Sequence, residues 1–316
     1  MRKIQYYITK FQKLRRDPKK GGAPHKPILL LSIIEQVEQG FITENKIFIT
    51  PELIESFKNN WSDLVTTDHD LRFALPFYHL KGDGFWKLIP NKGYEEAIKL
   101  KGSMRSLRNL DLAVEYAHFV SELFTFLIQE EKREALKAIL LDTYFPTTKW
   151  KYSNNRYPNS IENIEDEILE ENPINYQTKY KLLQLEEDKF TRSAVFKRLV
   201  PKVYKYTCCI SELQVSSISN ISMIDACHIR QFSETQDDTI KNGFVLCPNL
   251  HRAFDRGLIA ISDDYKVLVS NKFEENNKSI YNIKQFEGKK ILLPHERKYY
   301  PAIENFRWHR KEKYLK

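Results

Sequence analysis

The chain has 316 residues, 41% hydrophobic and 13% aromatic, with a formal net charge of +8. The length is too great for one comfortable core and suits two domains, and the composition excludes a disordered chain. The basic balance favours a polyanionic partner, nucleic acid being the commonest, while the longest apolar run, PILLLSII, is far too short for a membrane span.

In chain order, Ile4, Tyr7, Ile8, Phe11 and Leu14 recur at helical spacing and predict a first helix. The opening residues carry charge but no apolar stretch, so a secretory signal is not expected. The helix stops in DPKKGGAPHKP, where Gly and Pro block continuation. ILLLSIIEQVEQG predicts a second helix closed by Gly40, and NKIFIT a short strand. TPELIESFKNNW predicts a helix with Thr50 as N-cap and Pro51 in its first turn. LPFYHLKGDGFWKLIP reads as two short strands around Gly82-Asp83-Gly84. From Leu110 to about Tyr144 a long amphipathic helix is expected, with Leu112, Tyr116, Phe119, Val120, Leu123 and Phe126 on one face.

These elements make residues 1–145 a mostly helical domain. Residues 146–187 are polar, then acidic, and read as a linker. The domain at 188–316 opens with the helix SAVFKRLVPKVY, and the expected fold class is α+β.

Within that last domain, SMIDACHIRQF and GFVLC read as strands, and NLHRAFDRG as a helix capped by Asn249 and stopped by Gly257. His228 then sits on a strand, Asn242 in the connecting turn and His251 in the first helical turn. Phosphodiester hydrolysis needs a base for water and stabilisation of the charge that develops on phosphate. A strand histidine suits the first task, because imidazole titrates near neutral pH. A helix histidine with a carboxylate can hold a divalent cation. A lone strand histidine is more often a satisfied polar residue; three residues of the right type and spacing favour catalysis.

The four cysteines, Cys208, Cys209, Cys227 and Cys247, form no Cys-x-x-Cys pair, so no disulfide framework is expected and a reducing cytoplasm fits. A zinc site drawing on them and His251 is the alternative, but its spacing is irregular. They read better as small buried apolar residues.

DACHI, then NG, then LCPNLHRAFD, in that order, resemble the HNH nucleases of the ββα-metal type, and the likeness extends over about 205–316. It implies His228 as general base, Asn242 as the orienting asparagine, His251 as a metal ligand and Asp225 as the carboxylate at the metal. The implied cofactor is a divalent cation, Mg²⁺ or Mn²⁺, with Co²⁺ or Ni²⁺ as softer choices. Many relatives place Asp or His immediately before the base, where this chain has Cys227, a poor ligand for Mg²⁺.

In the N-terminal domain, GAPHKP places His25 and Lys26 at a helix start, where backbone N–H groups favour phosphate. Arg72, Pro76 and His79 lie among aromatics, and Lys101, Ser103, Arg105 and Arg108 offer backbone contacts. HKP-ILLL and PF-x-x-L-x-x-DGFW resemble the sulfur-binding domain of phosphorothioate-dependent restriction endonucleases, over about 5–110. The resemblance implies double-stranded DNA bearing phosphorothioate as partner, with Leu75, Pro76 and His79 forming a sulfur cup and His25, Lys26 and Arg105 as clamps. Leu75 stands where those relatives carry Tyr. A mark of methylated cytosine, an unmodified sequence, or DNA binding without cleavage are the competing readings. One HNH site cuts one strand, so double-strand cleavage would call for a homodimer.

Overall fold

The computed structural model describes residues 3–100, 102, 104–152, 157–170, 172, 175, 185–215, 222–276 and 278–315. Lys101, Ser103 and much of the expected linker lie outside the described residues. The chain divides into two compact units, Met1–Ile161 with Leu185–Thr191, and Glu162–Gln184 with Arg192–Lys316.

The first unit is built from α1 (Ile4–Gln12), α2 (His25–Glu38), α3 (Pro51–Leu64), α4 (Ala74–His79), β1 (Trp86–Pro90), α5 (Leu107–Ala113), β2 (Val114–Phe119), α6 (Ser121–Ile128) and α7 (Glu130–Tyr144). α2 is its axis. It is buried without interruption from Lys26 to Gln36, as expected of a helix apolar on every side, and packs on α3, α4, α6 and α7. α3 starts as its sequence predicts, with the Thr50 hydroxyl accepting from Leu53 N at 3.2 Å.

Three expectations are corrected here. LPFYH is helix, not strand: α4 turns Ala74, Pro76, Phe77 and Tyr78 inward together, and the Phe77 carbonyl accepts from the Trp86 indole at 2.9 Å. The long helix from Leu110 is broken by β2, which pairs antiparallel with β1 in the register Trp86↔Phe119 and Leu88↔Ala117. NKIFIT contributes a single bridge, Ile47 to Ala117, on the other side of β2.

α8 (Tyr157–Glu170) and α9 (Glu186–Val203) follow. The second unit then contains β3 (Asp225–His228), α10 (Phe232–Thr235), β4 (Gly243–Leu246), α11 (Pro248–Asp255), the hairpin β5 (Ile259–Ile261) and β6 (Val267–Val269), and α12 (Ile303–Glu312). The β3–β4 hairpin lies on α11, and Phe244, Phe254 and Phe306 meet edge-on in the core. The N-cap position of α11 is Cys247, which makes no side-chain cap bond, with Pro248 in the first turn, so Asn249 is not the cap. It ends before Gly257 (φ +70°), where an added Cβ would stand 2.0 Å from the Lys313 carbonyl oxygen. Among the described residues no helix is long and apolar enough to cross a membrane.

Candidate active site

His228 ends β3 opposite Gly243 of β4. A Cβ on Gly243 would come within 3.0 Å of Phe196 and Val200, so the missing side chain lets α9 lie close against the hairpin. The Phe196 ring consequently stacks on the His228 imidazole, 4.1 Å between centroids and 5° from parallel, and Phe232 tilts toward it at 5.5 Å. The imidazole edge remains, its side chain 19% exposed. Its Nε2 lies 2.7 Å from Oδ1 of Asp238, whose carboxylate is fully buried.

Asn242 is also fully buried. Its Oδ1 accepts from Arg230 N at 2.9 Å, and its Nδ2 donates to the carbonyls of Arg230 (2.9 Å) and Asp237 (3.0 Å). All of these bonds are to backbone, and they hold both ends of the loop that carries Asp238. Arg230, gripped in this way, lays its guanidinium over Trp308 at 5.2 Å.

His251 rises from the first turn of α11. Its Nδ1 lies 3.1 Å from Oδ2 of Asp225, and its Nε2 lies 3.4 Å from Oδ2 of Asp255, one turn on. All three side chains are partly open to solvent. Cys227 is buried, and burial pushes its thiol pKa well up, which does not suit a metal ligand. Among the described residues no group of three or more His, Cys, Asp or Glu side chains is arranged to hold a metal. The pair Asp225 and His251 nevertheless fits a hard or borderline divalent cation in donor type: one carboxylate and one imidazole face each other, both partly open to solvent. Cys209, like Cys227, is fully buried with its thiol pKa raised by burial, as befits a small core residue rather than a zinc ligand.

In the first unit, a cavity of about 630 Å³ gathers five of the expected DNA-binding residues, His25, Lys26, Leu75, Pro76 and His79. Leu75, Pro76 and Ala23 give it apolar wall, and Arg15, Arg16, Lys19 and Lys20 add positive charge. Those four cations come from KLRRDPKK, a run that reads from sequence only as a helix end. Lys26 departs from its expected role. It is 8% exposed, with its ammonium 2.6 Å from Asp83 Oδ2 and 2.7 Å from the Arg15 carbonyl, so it is an internal cation and not a phosphate clamp. The His25 ring packs edge-on to Trp61 and meets the Asp70 carbonyl at 2.9 Å; burial lowers its pKa. His79 is exposed at the rim, its pKa lowered by partial burial and then by Lys26, Lys81 and Arg105. Arg72 and Arg105 are exposed and stand outside the cavity lining.

Neighbours of the candidate residues that the sequence did not reveal are therefore Asp238 and Phe196 beside His228 and the Arg15–Lys20 cations at the cavity. The doubled acid in TQDDT is a weak signal for the first, since acidic pairs are usually solvated.

Residues 208–262 match the family described as HNH endonuclease. A search of curated proteins finds no match. Among solved structures, a modification-dependent TagI restriction endonuclease is similar over 38% of this chain and 37% of its own, at 21% identity and a TM-score of 0.29. The match thus spans little more than a third of that protein's length. The chain carries an HNH endonuclease domain over residues 208–262.

Proposed function

We propose that this protein is a modification-dependent restriction endonuclease: residues 1–145 bind phosphorothioate-bearing duplex DNA, and residues 188–316 hydrolyse its phosphodiester bonds. On this reading His228 removes the proton from the attacking water, and Asp225 with His251 would hold a divalent cation. That cation, when bound, supplies positive charge against the phosphate oxygens as negative charge builds on them. Everything else falls to the chain. Phe196 and Phe232 confine the imidazole and exclude solvent from its face. Asn242 fixes the loop that follows the base.

One observation carries the choice of mark: the cavity sets the apolar Leu75 and Pro76 among cations. Sulfur in place of a non-bridging phosphate oxygen is larger, more polarisable and less strongly hydrated. It loses less on leaving water for an apolar wall, while the surrounding cations retain the phosphate charge. A plain phosphate oxygen gains the cations but is penalised by the same wall.

The test is cleavage and binding on matched duplexes that differ only in one backbone sulfur, with Mn²⁺ or Mg²⁺ present. Selective binding and cutting of the sulfur duplex is expected. Equal cutting of both removes the sulfur reading, and preference for a methylated-cytosine duplex replaces it.

A further inference from the structure

A general base can use only the ring nitrogen whose lone pair is free, and the surroundings of His228 distinguish the two. Nε2 faces Asp238 Oδ1 at 2.7 Å, and the carboxylate behind it has no exposed surface. A buried carboxylate needs donors. The second oxygen of Asp238 has no hydrogen-bond partner among the described residues. Its neighbour Asp237 is already engaged, its Oδ1 accepting from the Thr239 N–H at 2.9 Å and the Thr239 hydroxyl at 2.7 Å. The His228 N–H is therefore the donor that Asp238 is placed to receive. The other tautomer would set a ring lone pair against a buried anionic oxygen.

We infer that Asp238 is a positioning residue for the base: it accepts the Nε2 proton of His228 and leaves the Nδ1 lone pair free to take the proton from water. The inference rests on the reading of His228 as the base. In the step, the water oxygen bonds phosphorus as its O–H bond breaks, the proton passes to Nδ1, and the ester oxygen leaves with the P–O electron pair. The imidazolium that results lies against a carboxylate in a site of low dielectric, where opposite charges attract strongly. The acids facing the ring are Asp238 and, farther off, Asp237, while Phe196 and Phe232 occupy its other surroundings. Asn242 belongs to the same device, since it binds the backbone at Arg230 and Asp237 and so fixes the loop that returns Asp238 to the ring.

The experiment compares Asp238→Asn, Asp238→Glu and His228→Ala in the full chain, by single-turnover cleavage and by DNA affinity. Asp238→Asn should cut about 10²-fold or more slowly, the range of a misplaced base, with affinity unchanged within twofold. Asp238→Glu should recover part of the rate. A wild-type rate in Asp238→Asn, beside an inactive His228→Ala, would overturn the inference alone; wild-type cutting by His228→Ala would instead remove the reading beneath it. Should Asp238→Asn not fold, nitrogen-15 NMR of the wild-type chain decides, the His228 signals being those lost in His228→Ala. A ring protonated at Nε2 is expected, and one protonated at Nδ1 is the contrary result.

Discussion

Replacing Lys26 with Met separates a structural cation from a DNA contact. Lys26 opens α2, yet its side chain is only 10% exposed and that of Asp83 only 3%. The ammonium binds Asp83 Oδ2 and the Arg15 carbonyl, and Asp83 Oδ1 accepts from Arg15 N at 2.8 Å. This knot ties the first turn of α2 to the segment after α1 and to the turn before β1. Methionine keeps the stem's length and apolar packing but leaves the Asp83 charge buried with a single backbone donor. Removing one member of a buried ion pair costs about 3–5 kcal/mol. For a unit of this size each kcal/mol moves the melting midpoint by roughly 2–4 °C, so the drop should be roughly 6–20 °C. Asp83→Asn added to Lys26→Met should restore part of the loss, because the stranded charge is gone. Calorimetry on the wild type, each single variant and the double variant gives the cycle, and DNA affinity measured well below the transition gives the second readout. A Lys26→Met protein that melts like the wild type but binds DNA tenfold more weakly would refute the reasoning and return Lys26 to the phosphate.

Three further outcomes are expected. Asn242→Ala should destabilise by about 2 kcal/mol, since it removes the partner of the part-buried Arg230 N–H and a donor to two carbonyls; urea midpoints measure this, and a loss under about 0.5 kcal/mol would deny the bracing role. His309 is stacked on Phe254 and bonded to its carbonyl, and burial lowers its pKa to about 4. The unfolded chain therefore binds this proton first as pH falls: stability is full above about 6.5, declines between there and 4, and loses about 3 kcal/mol in all. His309→Gln should flatten that part of the pH–stability curve relative to the wild type. Arg15→Ala and Lys19→Ala, at the cavity rim, should each weaken binding of all duplexes alike and reduce the slope of log affinity against log salt by about one; an unchanged slope would place both outside the DNA footprint.

What was readable in this sequence was what is local in the chain. His228, Asn242 and His251 fall within one ββα unit, so their spacing alone reports their placement, and Thr50 caps α3 because its partner is Leu53. Where a segment's structure depends on a distant one, pattern failed. Tyr116, Phe119, Val120 and Leu123 satisfy a helical period, yet Val114–Phe119 is a strand because Trp86–Pro90, far back in the chain, supplies its hydrogen bonds. Ala74–Tyr78 shows no polar face to mark it as helix, since its neighbours bury nearly all of it. Lys26 has the charge of a DNA contact, and only Asp83, 57 residues on, shows why the charge is there.

Gly243 joins the local and the distant parts of the site. As the second half of Asn-Gly it looks like a turn residue, with a left-handed conformation to provide. In the structure its φ is −117°, open to any residue, so conformational freedom is not the reason for glycine. The reason is space: a Cβ there would press on Phe196 and Val200 at 3.0 Å. Phe196 is the ring that lies flat on His228. Gly243→Ala should therefore push α9 from the hairpin by a few tenths of an ångström, loosening the imidazole without touching an ionisable group. Slower cleavage with unchanged DNA affinity, rescued in part by Phe196→Leu, would follow. If Gly243→Ala cuts at the wild-type rate, the stacked ring is packing only, and confinement of the base rests on Phe232 and Asp238.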